Sequence, residues 1–194
     1  MRINRSGRRN GASVRSILTG LVVFALMAAA PAGAATPPDK PKGVAYTLPE
    51  WFKPSFLDFR QDVAEARRRG RHVMIFVHLD DCPYCARLLK ENFVNGDNHD
   101  FMREHFDVIA VNVRGSLDVQ WLDGVTYTEK GLAGHLKIRG TPTIIFLGQD
   151  ARMVLRISGY REPRALRAAL NYVQSKSYLG RPFSEEAGEQ TRLR

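Results

Sequence analysis

The chain has 194 residues and a formal net charge of +9. Five of its arginines (Arg2, Arg5, Arg8, Arg9 and Arg15) crowd a start that holds no acid, so beyond residue 34 the balance is +4 (9 − 5). A balance of that size serves solubility and gives no footing for a nucleic-acid partner.

The first segment reads as an export signal. The arginine-rich start leads into an apolar run from Ile17 to Ala30, then Pro31 and the small-residue site Ala32-Gly33-Ala34. A positive n-region, an apolar stretch and an A-x-A site make up a cleavable secretory signal. The run is shorter than the roughly 20 apolar residues that cross a bilayer, which argues against a retained anchor. Arg8-Arg9 lacks the hydrophobic residue that would make it a twin-arginine signal. Cleavage after residue 34 leaves 160 residues (194 − 34), enough for one domain with its own core. The sequence divides into a signal over 1–34, a leader over 35–54, a folded domain over 55–180 and a polar, flexible tail over 181–194. The expected location is the periplasm.

Within the leader, the Pro- and Lys-rich stretch Thr36 to Lys42 reads as flexible chain, and Val44 to Tyr46 as a short edge strand. Ser55 with Asp58 three residues on predicts a helix start, and Phe56, Phe59, Val63 and Ala66 recur at helical spacing until Gly70. Arg67-Arg68-Arg69 and Arg71 close that helix, where cations favour the negative end of the dipole. His72 to Leu79 is near-continuously apolar, as a strand buried on both faces should be. A helix follows from Pro83 to Asn95, Pro83 suiting its first position. Next come a helix over Asn98 to Phe106 and a strand over Asp107 to Val113. Val119 to Tyr127 reads as a hairpin about Asp123-Gly124. A helix over Thr128 to Leu136, a strand over Thr143 to Leu147, an alternating strand through Met153, Leu155 and Ile157, and a helix from Pro163 complete the order. A β-α-β unit followed by a hairpin and a helix predicts an α/β fold, a central mixed sheet flanked by helices on both faces.

The chemistry sits at Cys82-Pro83-Tyr84-Cys85, between a buried strand and a helix start. Cysteines three apart close too small a loop to be a useful staple, because the entropy removed from the unfolded chain grows with loop length. A zinc site would want four ligands, and there is no second pair. At a helix start the Cys82 sulfur faces unpaired N–H groups and the positive dipole end, a setting that favours the reactive thiolate. Asp80 and Asp81 oppose it. Cys82 is expected to be exposed and to attack first, and Cys85 to resolve the mixed disulfide.

The pair, with Lys137-Ile138-Arg139-Gly140-Thr141-Pro142-Thr143 downstream, resembles the thioredoxin superfamily over about residues 55–176. The resemblance implies a thioredoxin fold with Pro142 as a cis proline against the cysteine pair. It also implies a substrate-contacting surface of Thr141, Pro142, Pro83 and Tyr84. Cys-Pro-Tyr-Cys, Trp121-Leu122-Asp123-Gly124, Glu129-Lys130-Gly131-Leu132-Ala133 and Ser158-Gly159-Tyr160 further resemble periplasmic SoxW-type thioredoxins linked to sulfur oxidation. Phe76 stands where the family carries a buried Asp, and Asp81 where it carries Trp. The glutaredoxin signatures, Thr-Val-Pro and a later Gly-Gly-x-Asp, are missing.

The expected activity is cofactor-free thiol–disulfide exchange, probing protein dithiols and disulfides and recharged by a membrane thiol–disulfide carrier, in a monomer. Two alternatives are a thioredoxin-fold copper carrier, for which the cysteine spacing is one residue short, and a binding module with a vestigial pair. His78, four residues before Cys82, is weighed as an influence on the thiol against an ordinary strand-end histidine. His72, His99, His105 and His135 have no partner spacing. Trp121 and Tyr127 are weighed as a partner-recognition surface on the hairpin against simple packing.

Overall fold

In a computed structural model, residues 43–184 are described. The signal segment, the stretch Thr36 to Lys42 and most of the polar tail lie outside them. Among the described residues, no helix is long and apolar enough to cross a membrane.

A four-stranded sheet forms the centre, in the order β2-β1-β5-β6. Strand β1 (His72–His78) runs parallel to β2 (Phe106–Asn112) and antiparallel to β5 (Thr143–Leu147), which pairs antiparallel with β6 (Met153–Ser158). Every residue of β1 is buried, as its unbroken apolar run requires. One face of the sheet carries Met74, Phe76, Val108, Ile144, Phe146 and Ile157. They pack on helices α2 (Pro83–Leu88), α3 (Asp97–His105) and α5 (Pro163–Gln174). The other face carries Val73, Ile75, Val77, Ile109 and Ile145, packed on α1 (Phe59–Arg68) and α4 (Glu129–His135). Alternate residues of one strand thus fill two separate cores. This is the mixed, doubly covered sheet that the element order predicts.

Several expectations need correction. Helix α1 begins at Phe59, capped by Asp58, whose carboxylate accepts the N–H groups of Arg60 and Gln61 at 3.1 and 3.0 Å. The Ser55 hydroxyl is spent elsewhere, accepting from Leu57 N–H and donating to Asp62. Phe56 therefore lies outside the helix and is 96% exposed. Beyond α2 the helix widens into a π-helical turn, Leu89–Phe93, closed by Val94 N–H on the Leu89 carbonyl.

Val44 to Tyr46 forms no strand. Its one backbone bond in the region, Val44 N–H to the Asp81 carbonyl at 3.3 Å, leads into the cysteine-bearing turn and away from the sheet edge. Residues 43–54 are nonetheless packed on the domain. Phe52 joins the core beside Phe76 and Phe93, Trp51 stacks on Phe93 and donates its indole N–H to the Phe93 carbonyl, and Lys53 pairs with buried Asp62. The segment is part of the fold.

The hairpin forms as expected, from β3 (Asp118–Gln120) and β4 (Thr126–Thr128). Its Trp121 is only 5% exposed and packs edge-on against Phe59. Trp121 therefore packs the hairpin onto α1 and offers no surface to a partner. Tyr127 is turned inward on the hairpin itself, donating to Asp123 and lying beside the ring of His135. Glu129, which opens α4, is buried and accepts the N–H groups of Asn112 and Leu117. Gly115 makes room for it, since a Cβ there would lie 1.8 Å from a Glu129 oxygen.

Candidate active site

The site sits at the C-terminal end of β1. The strand stops at His78, and the turn Leu79-Asp80-Asp81 carries the chain into Cys82, the N-cap of α2. Asp81 occupies the left-handed region at φ +56°, which a short polar side chain tolerates better than most. Asn112 of β2 donates to the Asp80 carboxylate at 3.0 Å and so ties the turn to the neighbouring strand. Gly43 lies so close to the turn that a Cβ would sit 3.0 Å from that of Asp81.

Cys82 and Cys85 are joined in a disulfide, their Cα atoms 5.2 Å apart. The Cys82 sulfur accepts the Cys85 N–H at 3.1 Å, one of the orphan donors of the first helical turn. It also accepts the Thr141 hydroxyl at 3.4 Å. The Thr141 carbonyl, 3.7 Å away, becomes an acceptor for a Cys82 S–H once the pair is reduced. The sulfur of Cys85 has no such donors among the described residues, and Cys85 is fully buried in the apolar core.

Cys82 was expected to be exposed; in this oxidised pair it is 6% exposed. Helix start and Thr141 both close over it, leaving Cys82 slightly open to solvent and Cys85 sealed.

The other sequence-derived residues converge on the same place. Thr141 leads into Pro142 through a cis peptide bond, and Gly159 N–H holds the Pro142 carbonyl at 2.8 Å. Pro83 is the first residue of α2, and Tyr84 stands half exposed beside the pair. Asp80 and Asp81 are exposed on the rim. Arg87 lies over the Tyr160 ring at 4.1 Å and pairs with Glu91, which also binds Tyr160. That trio braces α2 against the end of β6.

Tyr46 is the residue that the sequence did not single out. Its hydroxyl lies 2.8 Å from His78 Nδ1 and 2.8 Å from the Leu79 carbonyl. Burial, followed by the charges of Asp80 and Asp81, pushes its phenol pKa well up. His78 is buried too, its ring stacked 5.7 Å from Phe76, and burial lowers its pKa from 6.5 against the opposing pull of Asp80 and Glu129. Tyr46 is one of three aromatic residues in the leader, with Trp51 and Phe52, and that cluster was the available signal. Among the described residues, no three of His, Cys, Asp and Glu converge as a metal-binding group.

The sequence model of the thioredoxin-like domain family matches residues 59–174, more than half of the chain. Among solved structures, the chain is similar to a thioredoxin-fold protein from Helicobacter pylori, at 19% identity and a TM-score of 0.53, over 63% of this chain and 80% of that one. It is also similar to a thioredoxin from Thermus thermophilus, at 26% identity and a TM-score of 0.48, over 61% and 85% of the two chains. A third is the DsbD C-terminal domain from Neisseria meningitidis, at 13% identity and a TM-score of 0.43, over 59% and 92%. No curated protein matches the chain. The strand-to-helix cysteine pair and the span of the family match agree, and the chain belongs to the thioredoxin-like domain family as a thiol–disulfide oxidoreductase.

Proposed function

We propose that the chain is a periplasmic oxidoreductase that reduces protein disulfides with Cys82 as its nucleophile and is recharged by a membrane thiol–disulfide carrier. The observation that carries the assignment of roles is the asymmetry at the sulfurs. Cys82 receives two hydrogen-bond donors, Cys85 N–H and the Thr141 hydroxyl, and Cys85 sits in apolar surroundings. Donors to a sulfur favour its charged form, and burial in apolar surroundings disfavours it. The reduced pair therefore carries its thiolate on Cys82.

Exchange then runs in two displacements. The Cys82 thiolate attacks a partner disulfide and expels one partner thiolate. Cys85 attacks Cys82, expels the second and leaves the disulfide seen here. Thr141, Pro142, Pro83 and Tyr84 surround the opening through which a partner must reach Cys82, and form the proposed docking surface. The arginine-rich, apolar start with its A-x-A site supports export to the periplasm. The SoxW-like segments support a specialised role in sulfur oxidation or cytochrome maturation.

Trapping tests the reading. Cys85→Ala expressed with its signal segment should hold partners in a reducible covalent adduct on Cys82, and Cys82→Ala should not. A membrane thiol carrier among the trapped species supports the reductant role. Many unrelated secreted proteins in its place point to a general oxidase, and adducts formed only through Cys85 overturn the assignment of nucleophile.

A further inference from the structure

Closing the disulfide releases a proton. Cys85 is buried in the apolar core, and a thiol in such surroundings resists ionisation, so its attack on Cys82 needs a base inside the protein. Asp80 and Asp81 are exposed on the rim and face solvent. His78 is buried on the relevant side. Met74 and Phe76 of β1 point to the face that holds Cys82 and Cys85, and His78 follows at the same alternation, stacked on Phe76. The antiparallel register pairs Phe76 with Ile144 and Val77 with Thr143. Its next step sets His78 level with Pro142, adjacent to the residue whose hydroxyl touches Cys82.

The hydrogen bonds around His78 fix its protonation pattern. The Leu79 carbonyl can only accept, so the Tyr46 phenol proton goes to it. The phenol oxygen is then the acceptor for His78, whose Nδ1 must carry the proton. Nε2 is left with a lone pair, and no hydrogen bond to Nε2 occurs among the described residues.

We propose that His78 Nε2 takes the proton of Cys85 when the mixed disulfide closes, with Tyr46 as the positioning residue that fixes the tautomer. In that step the Cys85 S–H bond breaks, a Cys85–Cys82 bond forms, the Cys82–partner bond breaks and the partner leaves as thiolate. His78 afterwards returns the proton to water, and no further oxidant or reductant is required. The groups around His78 are Tyr46 from the 43–54 segment, Asp80 from the turn, Glu129 from α4 and neutral Asn112 from β2. The carboxylates keep the imidazole basic enough to accept a proton, and burial keeps it neutral beforehand. The inference rests on the proposed exchange reaction.

Dithiobis-nitrobenzoate separates the two. The reduced protein releases one coloured thiolate when Cys82 attacks and a second when Cys85 closes. Absence of the first phase would overturn the exchange reading itself. With that phase as internal reference, closure in the wild type should be level from about pH 6.5 to 8 and fall only as His78 protonates. In both His78→Gln and His78→Phe it should instead follow the thiolate fraction, about tenfold per pH unit, and be at least ~10-fold slower at pH 6.5. Phenylalanine preserves the stack on Phe76, so closure at the wild-type rate in His78→Phe would assign His78 to packing and overturn the proposal. Tyr46→Phe should slow closure severalfold and move its pH profile. The unaltered protein offers a check free of folding effects. Nitrogen NMR should find His78 protonated on Nδ1 and bare on Nε2, and a proton on Nε2 in the neutral ring would overturn the proposal.

Discussion

Strand β1 has a histidine at each end, and the two ends serve different purposes. His72 and His78 are both buried, and burial lowers the pKa of each. Their surroundings differ. Lys176 and His105 depress His72 further, to about 4, and its Nδ1 has no hydrogen-bond partner. Asp80 and Glu129 pull His78 the other way, and Tyr46 holds its Nδ1. Burial alone makes a neutral histidine. A tautomer-fixing partner and a carboxylate field make one that can work as a base.

The same contrast separates the ends of the sheet. Near His72 lies Asp107, buried and held by Arg69 and Arg71, a closed ion cluster about the N-terminal ends of β1 and β2. Near His78 lie Tyr46, Asp80 and the turn that leads into Cys82. Changes at the first end should alter stability, and changes at the second should alter chemistry.

The largest effect is expected at the reacting end. Cys82→Ala should reduce disulfide exchange by at least ~10³-fold, with thermal unfolding of the reduced protein little changed, because a small buried side chain is replaced by another. Insulin reduction and calorimetry measure both. At the other end, Asp107→Asn should leave exchange intact and cost about 2–3 kcal/mol, read by urea unfolding, since two arginines lose the carboxylate they share. Exchange that fell in step with stability would erase the contrast.

A pH series sharpens it. The unfolded His72 titrates near 6.5 and the folded one near 4, so the unfolded chain binds more protons in between. His72 stabilisation is complete above pH 6.5 and is lost as pH falls toward 4, by roughly 2–3 kcal/mol. His72→Leu should flatten that slope and raise stability at pH 5, measured by urea unfolding across the range. The smallest effect belongs to Thr141→Val. Loss of one hydroxyl donor to the Cys82 sulfur should slow alkylation of Cys82 about 2–5-fold near pH 6.5, by raising its thiol pKa. Iodoacetamide kinetics report it.

The parts of this architecture written in local pattern were readable from the residues. A continuous apolar run gave β1, the strand-to-helix position placed Cys82, and Asp123-Gly124 marked the hairpin. What escaped depends on contacts that sequence spacing does not encode. Tyr46 meets His78 across 32 positions of chain, and Asn112 meets Asp80 across another 32. Ser55 and Asp58 are both competent caps, and only the nearby Asp62 decides which of them caps α1. In a strand as short as β3, alternation cannot say that the next residue, Trp121, turns inward onto Phe59.

The segment 43–54 has one more effect, on association. Strands β2 and β6 are the two outer edges of the sheet, and an unpaired edge is a template for another chain. Lys53 donates its N–H to the Val108 carbonyl at 2.8 Å, laying the segment along the middle of β2. Beneath it runs Phe-Asp-Val-Ile-Ala-Val-Asn, seven residues with no proline and a single acid, the composition that stacks readily into intermolecular sheets. A proteolytic cut ahead of Pro54 would uncover that edge in an otherwise folded protein. Strand β6 carries the exposed Arg156, and among the described residues no isolated bridge lies along it. One edge is guarded by chain and the other by charge.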